Sequence, residues 1–324
     1  PRPRTSPPWP TPRTPTPPGQ VEAMQVGNGK NAGVPDIDSD GAGGLAEVPW
    51  SVFARKLAPN PIRAISNEVN ARIARGEDVL MLVGGRPPTE LLCPFKSLSF
   101  DGRYGSGSIT LDEADWNYGM GMSRGLPALR AWCTDFVKMQ CSPAPKGQHE
   151  TIITVGNTHG IMSTLLLLSD PFDFVLCESF AYSGLHAIAA PHDRLPVGIA
   201  ADADGMLPSA LDERCMQLIA EGRPAHLVYL TCMGQNPTGT TMPETRRREL
   251  YQVCRRHDLF ILEDDPYLWL QLSGPRAEGE EEASAADMAG ISAGRGASFL
   301  HLDEDGRVIR LDSISKAVSP AMRL

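Results

Sequence analysis

The sequence predicts a three-layer α/β/α domain built around a mostly parallel sheet. Short apolar runs recur along the chain, and helical patterns lie between several of them. The runs that we interpret as strands are residues 151–155, 174–177, 227–230, 259–262 and 308–311. Strands that alternate with helices usually pair in parallel, and the helices then cover both faces of the sheet.

Unusual polar residues follow these predicted strands, at the point where each strand ends. Asn157 follows the first run, Asp264 follows the fourth and Lys316 follows the fifth. In parallel sheets, ligands bind beyond the carboxyl ends of the strands. We therefore expect a ligand site at that edge of the sheet.

Regular spacing of apolar residues predicts helices around the strands. Isoleucine and valine recur every three or four positions between residues 62 and 73. The predicted helices span residues 60–75, 126–139, 161–168 and 243–257. Residues 78–83 form a further apolar run that ends at two glycines, Gly84 and Gly85, which predicts a strand followed by a turn.

Composition narrows the class of protein. The 324 residues carry a net charge of -9, which disfavours broad nucleic-acid binding because such proteins usually have a basic face. Seven cysteines occur without a CxxC pair, which indicates reduced thiols and no metal site. No apolar run reaches the roughly 18 residues of a membrane span. We expect a cytoplasmic or mitochondrial protein that binds no membrane.

Two segments lack the large apolar residues that a core needs. Residues 1–45 are rich in Pro, Gly and Thr and are interpreted as a disordered leader. Its arginines, Arg2, Arg4 and Arg13, are compatible with a transit peptide, although the prolines oppose an amphipathic helix. Residues 274–298 hold a run of glutamates and are expected to be a solvated surface insertion without chemistry.

Lys316 is the first candidate for chemistry. A single lysine is most often a surface residue. Here, however, Ser313 and Ser315 precede it and Arg323 follows it, so two hydroxyls and a permanent cation lie close to one amine. This grouping favours an anionic ligand beside a lysine that could form a Schiff base with an aldehyde.

A second anion-binding signal lies before the predicted helix at 161–168. Gly156 provides a turn, and Asn157 and Thr158 follow it. The N-terminus of a helix binds phosphate through its free N–H groups and its dipole. Neither signal is specific alone, but two of them at strand ends predict a small phosphorylated ligand.

Asp264 supplies a carboxylate at another predicted strand end, and Tyr267 follows three residues later. A carboxylate beside a pyridine nitrogen keeps that nitrogen protonated, so that the ring can accept electrons. Asp265 is adjacent and offers the same chemistry. The spacing of three residues between aspartate and tyrosine favours Asp264.

Five segments of the chain resemble the pyridoxal-phosphate-dependent aminotransferases of class I and II. They are GNTHG, the tyrosine of FAYSG, NPTG, EDDPY, and DSISK with the arginine that follows it. The branch that the chain resembles contains the kynurenine/2-aminoadipate and fungal aromatic aminotransferases. APNPIRAI, VGGRPP and WNYGMGMSRGLPALRAW support that branch, and the likeness runs from about Val48 to Leu324.

The resemblance implies a role for each matching residue. The implied catalytic residues are Lys316, Asp264 and Tyr182. The implied cofactor-binding residues are Asn157, Thr158, Tyr182, Asn236, Asp264, Tyr267, Ser313, Ser315, Lys316 and Arg323. The implied substrate-binding residues are Tyr118, Gly85 and Asn236, and the tyrosine matches one that reaches the neighbouring subunit's site in related dimers. Some relatives carry Ser-Gln at positions 157 and 158, where Asn and Thr can still donate hydrogen bonds.

The resemblance also implies a domain division and an activity. Residues 1–45 are expected to be the leader, 46–114 an N-terminal arm and small-domain segment, and 115–324 a large domain that binds pyridoxal 5'-phosphate. The small domain is expected to be incomplete, because family members continue past the position of Leu324. That missing part carries the arginine that grips the substrate's α-carboxylate.

The expected reaction moves an amino group from an aromatic or 2-aminoadipate-like amino acid to a 2-oxo acid, in a homodimer. The alternative is a truncated protein that binds the cofactor or joins a dimer without turnover. A lyase reaction on the same scaffold also stays open. A DNA-binding regulator is disfavoured because residues 1–45 are too short and too rich in proline for a winged helix.

Overall fold

The computed structural model describes residues 48–57, 61–80, 96–102, 105–111, 123–140, 149–270 and 296–320. The strands in these ranges are β1 (Ser97–Gly102), β2 (Gly105–Thr110), β3 (Phe174–Glu178), β4 (Leu195–Ile199), β5 (Ala201–Asp202), β6 (Gly205–Met206), β7 (Leu227–Leu230), β8 (Phe260–Asp264) and β9 (Val308–Leu311). The helices are α1 (Val52–Arg55), α2 (Pro61–Ala74), α3 (Pro127–Gln140), α4 (Gly156–Leu168), α5 (Ser183–Ala189), α6 (Pro208–Ala220), α7 (Glu244–Arg256) and α8 (Phe299–Leu302). Short 3₁₀ turns occupy Ala190–His192 and Leu268–Leu270.

A parallel sheet forms the centre of the fold. Its strands lie in the order β4-β3-β7-β8-β9, and each neighbouring pair is parallel. Every residue of β7 and β8 is buried, which explains why these strands appear in the sequence as unbroken apolar runs. The hairpins β1-β2 and β5-β6 are antiparallel and separate from this sheet. The predicted mostly parallel α/β architecture is confirmed.

Helices cover both faces of the sheet. Alternate strand residues point to opposite faces, so β3, β7, β8 and β9 each contribute to two separate apolar clusters. The cluster with α4 and α5 includes Val175, Leu227, Leu262, Ile161, Leu165 and Leu185. The cluster with α6, α7 and α8 includes Leu176, Val228, Ile261, Leu211, Leu250 and Phe299. The molecule therefore has the three predicted layers.

One predicted strand is wrong. Residues 151–155 form no strand, and helix α4 begins at Gly156 instead of at residue 161. Ile152 and Val155 are 55% and 62% exposed, and the backbone of Ile153 bonds to Arg124 instead of to the sheet. β-branched residues favour strands only where a neighbouring strand and a packed face are available.

The sequence does not predict strand β4. Pro196 and Gly198 interrupt its apolar pattern, and both residues are depleted in strands. The strand lies at the edge of the sheet, which is where proline is tolerated. Of the run predicted at 78–83, the described residues 78–80 form no strand, and Leu80 is 81% exposed. The remainder of that run, Gly84 and Gly85 lie outside the described residues.

The predicted surface insertion ends earlier than expected. Its last residues, Ala297 and Ser298, are only 7% and 6% exposed. The carbonyl of Ala297 accepts a 2.8 Å hydrogen bond from the buried Arg247, and the Ser298 hydroxyl caps α8 by accepting from the backbone of His301. These contacts fix residues 297 and 298 in the core, so the prediction of a solvated segment is wrong there.

The helices predicted near 60–75, 126–139 and 243–257 are confirmed by α2, α3 and α7. Within the described ranges, no helix is long and apolar enough to cross a membrane. The leader at 1–45 lies outside those ranges. The division into 46–114 and 115–324 stays a prediction.

Candidate active site

A cavity of about 200 Å³ lies at the carboxyl edge of the parallel sheet. It collects residues from the loops that follow β3, β7, β8 and β9, and from the first turns of α4. Nine of the predicted site residues line it: Asn157, Thr158, Tyr182, Asn236, Asp264, Tyr267, Ser313, Ser315 and Lys316. Asn157 and Lys316, which are 159 positions apart in the sequence, therefore line the same cavity. Arg323, Tyr118 and Gly85 lie outside the described residues.

Asp264 is a buried carboxylate on the wall of this cavity. It ends strand β8 and is 4% exposed. Asn157 donates to Oδ1 at 2.6 Å, and the Tyr229 hydroxyl donates to Oδ2 at 2.6 Å. Burial raises the pKa of Asp264, and the two hydrogen bonds oppose that rise. The carboxylate is therefore oriented by two donors, both of which favour its ionised form.

Asp265 points away from the cavity, toward the opposite face of the sheet. It is 1% exposed, and its Oδ2 lies 3.3 Å from Nη2 of Arg310. Successive residues of an extended chain alternate between the two faces, so only one of two adjacent aspartates can reach the cavity. The structure places Asp264 there, in agreement with the choice made from its spacing to Tyr267.

Lys316 lies across from Tyr267 in the cavity. Its Nζ is 5.9 Å from the centroid of the tyrosine ring, and the side chain is exposed. The Tyr267 hydroxyl accepts a hydrogen bond from Asn236 at 3.4 Å. An amine, a phenol and an amide from three different loops therefore line one side of the space.

Helix α4 presents its N-terminus to the same cavity. Its first residue, Gly156, has a φ of 72°, a left-handed conformation that favours glycine. Gly160 allows the helix to approach β9 closely, because a Cβ there would lie 2.7 Å from Leu311. The first turn contains no acidic residue, so its free N–H groups can receive an anion beside Thr158.

The side chain of Asn157 differs from its expected use. The family resemblance implies that Asn157 helps to hold a phosphate, and in the structure its side-chain amide donates to Asp264. A side-chain amide committed to that carboxylate leaves the backbone N–H of Asn157 for an anion. On the other side of the cavity, Ser313 is buried, and its hydroxyl accepts from the backbone of Ser315 at 3.1 Å.

Tyr229 and Thr231 are cavity residues that sequence reasoning missed. Ile161, Pro266 and Pro320 also line the cavity without having been predicted. The missed signal is the alternation of β7 and its extension, in which Leu227, Tyr229 and Thr231 share a face. A buried phenol usually needs a hydrogen-bond partner. The face of β7 that carries Tyr229 leads to the cavity at the carboxyl end of the strand, so a polar partner is expected there.

Gln235, also missed, joins two of the cavity loops. Its side-chain amide donates to the carbonyl of Phe180, and its Oε1 accepts from the backbone and hydroxyl of Thr238 at 2.9 and 2.6 Å. The first loop carries Tyr182 and the second carries Asn236. The Tyr182 ring also lies against Gly184, where a Cβ would collide with it. The hydrogen bonds of Gln235 therefore hold the loop of Asn236 against the loop of Tyr182.

Among the described residues, no group of His, Cys, Asp and Glu is arranged to hold a metal ion. The cavity instead offers a buried carboxylate, an amine, hydroxyls and a helix N-terminus. This donor set suits an organic ligand that carries a basic ring nitrogen, a carbonyl and a phosphate.

Known proteins similar to this chain are aminotransferases. The chain is 35% identical over 211 residues to the L-tyrosine:2-oxoglutarate aminotransferase amt1 of Serpula lacrymans, a match that covers 64% of this chain and 39% of that protein. It is 30% identical over 286 residues to the mitochondrial kynurenine/alpha-aminoadipate aminotransferase of Rattus norvegicus, covering 84% and 61%. These relatives agree with the branch that the sequence motifs indicated.

A solved structure with the same fold is the aminotransferase Aro8 from Candida albicans. It superposes with a TM-score of 0.72 at 24% identity and covers 87% of this chain and 63% of that one. The chain spans about half the length of the curated relatives it matches. The family model described as Aminotransferase class I and II matches residues 113–319, well over half of the chain. The chain therefore belongs to the class I and II aminotransferase family.

Proposed function

We propose that the chain carries the pyridoxal-phosphate site of a transaminase that uses aromatic or 2-aminoadipate-like amino acids and a 2-oxo acid. One observation carries the proposal: Lys316 and Asp264 line the same cavity with the N-terminus of α4. The names of the relatives support the substrate class, because they include a tyrosine:2-oxoglutarate and a kynurenine/alpha-aminoadipate aminotransferase. The homodimer expected from the sequence is part of the proposal.

The residues of the cavity fit the cofactor. The carboxylate of Asp264 matches a ring nitrogen that carries a proton, and the amine of Lys316 matches an aldehyde. The hydroxyls of Thr158, Ser313 and Ser315 and the N–H groups of α4 match a phosphate. Arg323 would add a permanent positive charge to that end.

Each cavity residue would then have a separate role in the reaction. When bound, pyridoxal phosphate supplies an electron-accepting ring that stabilises negative charge on the substrate's α-carbon. Lys316 would hold the cofactor through Nζ and, once freed by the substrate, take the α-proton as a general base. Asp264 would keep the proton on the ring nitrogen. Asn236 and Tyr267 would donate to the ring hydroxyl, and Tyr182 would stack on the ring.

Covalent mapping tests the proposed cofactor site directly. The chain is incubated with pyridoxal 5'-phosphate, reduced with borohydride and digested, and the labelled peptide is identified by mass spectrometry. We expect a stoichiometric label on Lys316, because its amine shares the cavity with the phosphate-binding groups. Label spread over surface lysines such as Lys138, which is 49% exposed, would contradict the proposal.

Turnover is tested with the intact chain loaded with pyridoxal 5'-phosphate and left unreduced. Tyrosine, kynurenine and 2-aminoadipate are added in turn, and the absorbance of the lysine-bound cofactor is followed before and after addition of 2-oxoglutarate. Loss of the band with the amino acid and its return with the oxo acid are expected of a transaminase. A band that none of these amino acids alters would favour the alternative, a cofactor-binding protein without turnover.

Replacing Asp264 with asparagine is expected to lower kcat/KM for transamination by about a hundredfold or more. Fixed charges that stabilise charge developing in a transition state contribute on that scale. The matched control is Asp265→Asn, which changes the adjacent carboxylate on the opposite face of the sheet. We expect that control to retain near-normal kcat/KM per folded molecule. Equal losses in both variants would argue against the assignment of Asp264.

A further inference from the structure

Tyr229 is a buried tyrosine whose hydroxyl is committed to Asp264. It is the third residue of β7 and is 2% exposed. Its hydroxyl oxygen lies 2.6 Å from Oδ2 of Asp264, while Asn157 occupies the other carboxylate oxygen at the same distance. Thr231 lies 3.4 Å away and donates to the tyrosine oxygen. A hydroxyl that accepts from one neighbour keeps its own proton for the other, so the phenol proton points at the carboxylate.

This arrangement opposes the cost of burying a carboxylate. Burial raises the pKa of Asp264, and Asp312 adds to that rise, while Arg310 lowers the pKa from the side of β9. The hydrogen bond from Tyr229 makes the largest contribution among the interactions that lower the pKa of Asp264. The pKa of Tyr229 itself is raised by burial and by the carboxylate, so the phenol keeps its proton. It remains a hydrogen-bond donor across the physiological range of pH.

We propose that Tyr229 is a positioning residue, which acts through Asp264 to hold that carboxylate ionised and aimed at the ring nitrogen of the cofactor. The inference rests on the proposed function, because that function supplies the ring nitrogen with which Asp264 pairs. A structural role alone would make Tyr229 equally important for any ligand that fills the cavity. A positioning role makes it important only for a ligand that has a nitrogen to pair with Asp264.

The test compares two ligands in wild type and Tyr229→Phe. The first is pyridoxal 5'-phosphate, and the second is its carbocyclic analogue, in which CH replaces the ring nitrogen. Dissociation constants are measured by equilibrium dialysis at pH 6 and pH 8. Loss of a hydrogen bond to a charged group should weaken binding of pyridoxal phosphate about tenfold at pH 6. Without this donor the carboxyl of Asp264 binds a proton more readily, so the loss should be smaller at pH 8 than at pH 6. The other charged or titratable groups near the carboxylate are Arg310, Asp312, Tyr182, Tyr267 and Lys316. Binding of the analogue should be unchanged at both values.

Tyr251→Phe is the matched control. Tyr251 is also 2% exposed, its hydroxyl donates to an aspartate, Asp303, at 3.0 Å, and it packs in the apolar cluster on the opposite face of the sheet from Tyr229. It should leave the ratio of the two dissociation constants at its wild-type value. Equal weakening of both ligands in Tyr229→Phe, or no weakening of either, would overturn the positioning role. A wild-type chain that binds neither ligand would overturn the proposed function as well, and the two failures are thereby distinguished.

Discussion

Replacing Lys316 with alanine should remove the lysine-bound absorbance of the cofactor and lower transamination by about a thousandfold or more. Two functions are lost with one side chain, the covalent attachment of the aldehyde and the transfer of the α-proton. The cavity should stay intact, because Lys316 is exposed and its Nζ lies 5.9 Å from the centroid of the Tyr267 ring, so its removal leaves little buried packing unfilled. Absorbance spectra and single-turnover kinetics with tyrosine measure the two losses separately.

The control for this variant is Lys138→Ala. Lys138 lies in α3, and its nearest acidic partner is Asp135 at 3.9 Å, so its removal should change neither the spectrum nor the rate. Small primary amines offer a second check, because an amine that diffuses into the vacated space can accept the α-proton in place of Nζ. Partial recovery of single-turnover rate by ethylamine in Lys316→Ala is expected. An unaltered spectrum in that variant would refute the role of Lys316.

Strands are predicted best from the sequence where both faces of the strand are buried, because nearly every position must then be apolar. The strand predicted at residues 227–230 matches β7 and the one predicted at 259–262 overlaps β8, because central parallel strands need apolar residues at nearly every position. The edge strand β4 and residues 151–155 show the reverse. Pairing at an edge depends on neighbours distant in sequence, which local composition does not encode.

The same distinction applies to the cavity. Residues at the end of a strand or just past it, such as Asp264 and Ser313, are recognisable because polar residues there interrupt an apolar pattern. Tyr229 lies inside a strand, where its ring looks like any other core residue until its hydroxyl partner is known. The use of Asn157 could not be predicted either, since its contact with Asp264 spans 107 positions.

The second large effect concerns Arg310, which neutralises buried carboxylates on the face of the sheet opposite the cavity. It is 3% exposed at its side chain and lies 3.1 Å from Glu263, 3.3 Å from Asp265 and 2.9 Å from Asp312. Glu263 and Asp265 are themselves almost completely buried, and Oδ1 of Asp265 has no hydrogen-bond partner among the described residues. Arg310→Met should therefore lower the free energy of unfolding by about 3–5 kcal/mol, the usual cost of leaving a buried charge unpaired.

The pH dependence of that loss identifies its cause. Burial raises the pKa of Asp265, whereas Arg310 lowers it. A carboxyl with a raised folded pKa binds its proton more tightly in the native state, so its contribution to stability falls as pH rises above about 4. Without the guanidinium that pKa rises further, so urea unfolding should show a larger deficit for Arg310→Met at pH 8 than at pH 5.

Arg246→Met distinguishes this effect from the loss of any ion pair. Arg246 pairs with Asp202 at 3.0 Å, but that aspartate is 43% exposed at its side chain and its pKa is lowered, first by the hydrogen bond from Arg246. Because solvated pairs contribute little, the control should lose much less stability. Its deficit should also be flat between pH 5 and 8, since Asp202 stays ionised over that range. A deficit for Arg310→Met that is equally flat would show that lost packing, and not unpaired charge, causes the destabilisation.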